Sequence, residues 1–134
     1  MINSAQEFVA LRTSEDPLVY GRAAQEEAPV AVWEETLRLY PEMAFWVAQN
    51  KTVPTEIMAL LSQNPEPRVR SMIARKSKVS DSILRRLAGD EDEGVRLAVA
   101  RNKRASRQIL EQLRNDPWSE IKEVVVARLK NSED

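Results

Sequence analysis

The sequence predicts an all-α fold: a short α-solenoid of 26-residue, two-helix repeats behind an N-terminal helical cap. Three observations predict it. The first is a set of columns at a 26-residue spacing: Ile57, Ile83 and Ile109; Leu61, Leu87 and Leu113; Met43, Val69, Val95 and Ile121; Ala48, Ala74 and Ala100. A period of 20–50 residues marks stacked supersecondary units, none of which buries its apolar face alone. The second is helical spacing inside each copy, as in Ile109, Leu110 and Leu113 at i, i+1 and i+4. The third is composition: 43% hydrophobic and 31% charged residues with only three glycines and few β-branched runs, which disfavours a sheet.

Residues 1–27 fall outside the repeat and form the cap. Asn3-Ser4 caps a helix containing Phe8, Val9 and Leu11, and a second helix runs from near Pro17 to about Glu27. Residues 28–130 carry the copies, near 28–50, 54–76, 80–102 and 106–130. The first is degenerate, a helix over Ala28–Tyr40 opened by Pro29 and a second over Pro41–Asn50. Pro54 suits the first helical position of the next copy, while Ser80 and Ser106 serve as N-caps, the latter of a helix over Ser106–Asn115. Polar turns follow: Asn64-Pro65-Glu66-Pro67, Asp90-Glu91-Asp92-Glu93-Gly94 and Asp116-Pro117-Trp118-Ser119. The second helix is short, as in Val95–Arg101, and ends in a linker such as Asn102-Lys103-Arg104. Helices this short depend on stacking for their stability. The last copy reads as carrying one extra residue, which sets Ala127 below Ala100 and Arg128 below Arg101; residues 131–134 are a polar tail.

The 134 residues are one domain's worth of chain, able to bury roughly two-thirds of its unfolded surface. The absence of cysteine excludes disulfides, thiolate metal sites and thiol nucleophiles, and the absence of histidine removes the commonest general base and transition-metal ligand. No cofactor is expected. Without a basic leader segment, or the roughly 18–20 apolar residues that span a bilayer, a cytoplasmic location is expected. The net charge of −1 hides an asymmetry: residues 1–66 hold 4 Lys+Arg against 10 Asp+Glu, a net of −6, and residues 67–134 hold 16 against 11, a net of +5. Such asymmetry points to a charged partner.

The string Val95-Arg96-Leu97-Ala98-Val99-Ala100-Arg101-Asn102, with Ile109-Leu110, Leu113 and Asp116 after a short linker, resembles the leucine-rich-repeat variant family. More loosely, Asp90–Arg96 is similar to the aspartate-to-Val-Arg turn of HEAT-type repeats. The resemblance covers residues 41–129 and departs at Lys76-Ser77, where the family pattern has Asn-Pro. It implies a right-handed solenoid, HEAT-like, of bacterial type and commonly non-catalytic, that binds other macromolecules. The iron–sulfur cluster associated with one member of the variant family requires cysteines that this chain lacks.

Two basic columns stand out as candidate partner-binding residues: Arg70 and Arg96 with Lys122, and Arg75, Arg101 and Arg128. Arg85 and Arg86 add to the same half. One reading is an electropositive strip for an acidic protein or a phosphate backbone. The other pairs Arg70 and Arg96 with the turn aspartates Asp90 and Asp116, and sets Arg75, Arg101 and Arg128 at helix C-termini, which favour cations in any case. Trp46, in the column of the smaller Met72 and Ala98, is a candidate interface anchor, or else it seals packing near the end of the stack, as do Trp33 and Trp118. The acidic run from Asp90 fails as an EF-hand, because Val95 and Arg101 stand where glycine and glutamate are required. Glu56 and Asp81 could form a carboxylate pair, but no electrophile, phosphate loop or nucleophile elbow accompanies them.

The expectation is a non-catalytic protein–protein interaction module, an adaptor or an antitoxin- or immunity-type inhibitor whose partner could be a toxin. The alternative is nucleic-acid binding through the basic half, against which stand the pI near 5.7 and the lack of aromatic-basic interleaving. A third possibility is an oligomer-forming role in which the last repeat pairs with a second copy.

Overall fold

A computed structural model of the protein describes residues 1–132 and contains ten α-helices and one 3₁₀ turn, with no strand among the described residues. The chain divides into two compact units, Met1–Leu61 and Ser62–Asp134.

The first unit holds α1 (Ala5–Arg12), α2 (Pro17–Gln25), α3 (Val30–Leu39), the 3₁₀ turn Pro41–Met43, α4 (Ala44–Gln49) and α5 (Thr55–Leu61). Ser4 caps α1 by accepting from the Glu7 amide, and Asp16 caps α2 by accepting from the Leu18 amide. Pro29 is the N-cap of α3 and makes no side-chain cap bond. The proline-initiated Pro41–Asn50 helix is a 3₁₀ turn leading into the six-residue α4. The core centres on fully buried Phe8 and Trp33, whose rings meet edge to face with centroids 5.3 Å apart. Asn50, also fully buried, ties the unit together: its Nδ2 donates to the Ala23 and Glu26 carbonyls at 2.8 and 2.9 Å.

The second unit holds α6 (Pro67–Ala74), α7 (Asp81–Leu87), α8 (Glu93–Arg101), α9 (Arg107–Gln112) and α10 (Ser119–Ser132). Ser80, Asp92 and Ser106 cap α7, α8 and α9 by accepting from the amides of Ile83, Val95 and Ile109. Helix α9 spans Arg107–Gln112, shorter than the Ser106–Asn115 helix read from the sequence, because its Ser106 is the cap and Leu113 already closes the end. Helix α6 packs on α8, and α8 on α10. The apolar columns are buried apart from Met43, which is only partly so: Ile83, Leu87, Val95, Ile109, Leu113 and Ile121 here, with Ile57 and Leu61 in the first unit, are each at most 3% exposed. Ala48, Ala74 and Ala100 are sealed completely.

Helix α10 corrects the sequence register. Val125, 26 positions after Val99, is fully buried, and Ile121, Val125 and Leu129 form the inward stripe at i, i+4 and i+8. No residue is inserted, so Arg128 falls below Asn102 rather than Arg101. The helix takes in Asn131 and Ser132 of the polar tail, whose last two residues lie outside the described ones.

Candidate functional site

The turns of the second unit are built by an arginine–aspartate ladder. Arg70 donates from Nη1 to the carbonyls of Asn64 and Pro65 in its own turn, at 2.8 and 3.0 Å. Its Nε and Nη2 reach forward to both oxygens of Asp90 at 2.8 and 3.0 Å. Arg96, 26 positions on, repeats each contact with the carbonyls of Asp90 and Glu91 and the carboxylate of Asp116. The aspartates also hold the local backbone, as Asp90 accepts from the Asp92 amide and Asp116 from the Trp118 amide, both at 2.9 Å. Burial alone would raise the Asp90 carboxyl, but the Arg70 and Asp92 hydrogen bonds and the charges of Arg70 and Arg96 hold it below the usual carboxylate range. The carboxylate hydrogen bond, against the opposing effect of burial, raises Arg70 and Arg96 above the ordinary arginine value. Arg70 and Arg96 therefore face inward as structural cations, not outward as members of a docking strip.

Arg128 is likewise internal. Its Nη1 donates to the Ala100 and Asn102 carbonyls, both at 2.7 Å. Asn102, one period earlier, donates from Nδ2 to the equivalent carbonyls of Ala74 and Lys76 at 2.8 and 2.9 Å. The two side chains perform the same task, tying the carbonyls at the C-terminal end of one second helix to the next second helix within this unit. The sequence reading missed this pair because Asn102 and Arg128, 26 positions apart, share a task and not a residue type. Lys76 stands one period before Asn102, and burial pushes its ammonium down to about 8.

Arg85 and Arg86 are exposed on α7 but engaged: Arg85 pairs with Asp81 and bonds Gln108, and Arg86 bonds the buried hydroxyl of Ser62. Trp46 belongs to the first unit and is half-buried beneath Arg12, whose guanidinium carbon lies 3.4 Å from its ring centroid. Phe45 packs edge to face with it, centroids 5.0 Å apart, so Trp46 is held in a cation–π contact with Arg12.

Arg75 and Arg101 remain. Both are exposed, at the C-terminal ends of α6 and α8, and they line one groove of about 510 Å³ with Ser71, Gly94, Leu97, Ala98 and Asn102. Arg101 is held on one side by Glu120, with Nη2 to Oε1 at 2.9 Å and both side chains more than half exposed. The Arg75 side chain has no hydrogen-bond or ion-pair partner among the described residues. Gly94, Leu97 and Glu120 are not singled out as site residues by the sequence, because a glycine after an acidic turn, a helical leucine and a glutamate in a first helical turn are unremarkable alone. Among the described residues no group of three or more Asp and Glu side chains is placed to hold a metal ion, and no helix is long and apolar enough to cross a membrane.

No curated protein and no solved structure matches the chain. The family model of the leucine rich repeat variant matches residues 93–117, from the start of α8 through α9 to the turn beyond it. That segment, with its Arg96–Asp116 closure and Ser106 cap, is similar to the leucine rich repeat variant, a family of HEAT-like helical repeats.

Proposed function

We propose that this chain is a non-catalytic, protein-binding repeat module whose copies stack as a short right-handed α-solenoid. In this reading it docks a protein partner on the row of second helices, at the groove between α6 and α8. The observation that carries it is the division among the arginines. Arg70, Arg96 and Arg128 are committed to internal carbonyls and carboxylates, whereas Arg75 and Arg101 stand exposed along one groove. A groove lined by apolar Leu97 and Ala98 and by two guanidinium groups suits a segment with acidic and small apolar side chains. Such a surface would suit an adaptor or an immunity-type inhibitor, and a cytoplasmic location is in keeping with the chain's lack of cysteine.

The test is affinity capture with the wild-type chain and with Arg75→Glu/Arg101→Glu, each checked for unchanged thermal unfolding. Loss of a protein partner on charge reversal supports the reading. Capture of RNA or DNA, or retention of the same partner by the reversed chain, overturns it.

A further inference from the structure

The Arg101–Glu120 pair and its counterpart one period earlier differ in an informative way. Glu120 lies 19 positions after Arg101 and gives it a carboxylate. The residue 19 positions after Arg75 is Gly94, which has no side chain, and Gly94 and Arg75 line the same groove. The second helix of the following repeat thus presents a carboxylate to the guanidinium in one copy and no side chain in the other, where Asp92 Oδ1 lies 2.9 Å from the point a Cβ would take. There the Arg75 guanidinium has no carboxylate partner among the described residues, and the groove beside it is lined by Leu97, Ala98 and Arg101 of α8 with Ser71 and Asn102.

From this juxtaposition we propose that the position left open by Gly94 receives a glutamate or aspartate carboxylate from an extended acidic segment of a partner protein. The incoming carboxylate binds Arg75 as Glu120 binds Arg101. The charge is complementary, and the intramolecular pair displays the contact that the partner reproduces. Glu120 also competes for Arg101, so the groove of the resting chain offers one open guanidinium and one partly neutralised one. This inference rests on the protein-binding reading above and specifies its chemistry.

The experiment titrates ¹⁵N-labelled full-length chain with a synthetic peptide of alternating glutamate and alanine, following the arginine Nε–Hε signals. A lysine-for-glutamate peptide and inorganic phosphate serve as controls. The Arg75 signal is expected to move saturably with the acidic peptide alone. Gly94→Glu is expected to abolish that movement by supplying an internal carboxylate, while Gly94→Ala retains it. A Cβ at position 94 would lie 2.9 Å from Asp92 Oδ1, a cost shared by both variants, so the alanine variant isolates the carboxylate. Arg75→Gln, an exposed change independent of that cost, is expected to weaken peptide binding about 3-fold, within the range for an exposed ion pair. Glu120→Gln is expected to strengthen it by a similar factor. Equal movement of Arg75 with phosphate, or undiminished peptide binding by both Gly94→Glu and Arg75→Gln, would overturn the proposal. If Arg75→Gln still captures the wild-type protein partner at full strength, this inference fails and the broader binding reading stands.

Discussion

Arg70 and Asp90, twenty residues apart, form a two-pronged ion pair whose side chains are each only 9% exposed. The same guanidinium closes the turn that begins at Asn64, so one residue joins two successive turns. Arg70→Ala leaves the Asp90 carboxylate buried and uncompensated, a loss expected to cost about 3–5 kcal/mol. Denaturant unfolding of Arg70→Ala, Asp90→Ala and the double variant checks it. The double variant should be markedly less destabilised than the sum of the singles.

Asp90 also sets an acid dependence. Its folded pKa lies below the ordinary 3.8, so its contribution is fully present above 3.8 and is lost as pH falls through the lower folded value. Asp90→Asn should therefore flatten the acid limb of the stability profile below about pH 4 relative to wild type. Parallel pH titrations of thermal unfolding measure this, and identical acid limbs would contradict the ladder's electrostatics.

Lys76 has the opposite character. Burial lowers its ammonium from 10.5 to about 8, so between those values the unfolded chain binds the extra proton and folding gains stability as pH rises. The stability of wild type relative to Lys76→Met should therefore climb between about pH 8 and 10.5 and be flat below about pH 7. Urea midpoints for both chains across that range test the direction.

In the apolar columns, Ile83→Ala or Leu87→Ala should cost about 2–5 kcal/mol, since both are at most 3% exposed. Arg85→Ala, on the solvent side of the same helix with its exposed Asp81 partner, should cost at most about 1 kcal/mol. Equal losses from the two faces would mean that α7 is oriented differently.

Asn102→Ala removes bonds to the Ala74 and Lys76 carbonyls and to the Arg104 amide, and should cost about 1–3 kcal/mol. Asn102→Arg tests the equivalence with Arg128: it should recover part of that loss by reaching the same carbonyls.

Binding to nucleic acid should be no tighter than about 10 µM at physiological salt, weaker than the range for specific DNA recognition. A duplex complex engaging five basic residues would lose affinity with a slope of roughly −4 to −5 in log K against log salt. Fluorescence anisotropy over a salt series distinguishes that outcome from the shallow dependence of a protein complex.

The sequence by itself determined the helical class, the apolar columns and the caps. Ile83, Ile109, Leu87 and Leu113 repeat because a buried stripe tolerates few shapes, and Ser80 and Ser106 repeat because a helix start needs a short oxygen acceptor. It also offered Asp90 and Asp116 as partners for Arg70 and Arg96. Only the tertiary structure decided which cations are internal. Arg101 and Arg128 look alike as letters, yet Arg101 faces the groove and Arg128 clamps the carbonyls of Ala100 and Asn102. That difference depends on where a long side chain ends, and α10 decides it by turning Val125 inward and Val126 outward. The groove at Gly94 was hidden for a similar reason: a missing side chain has meaning only beside the guanidinium that lacks a partner. Identity and spacing fix what is buried, whereas the fate of a flexible polar group is settled by the carbonyls and carboxylates within reach of its tip.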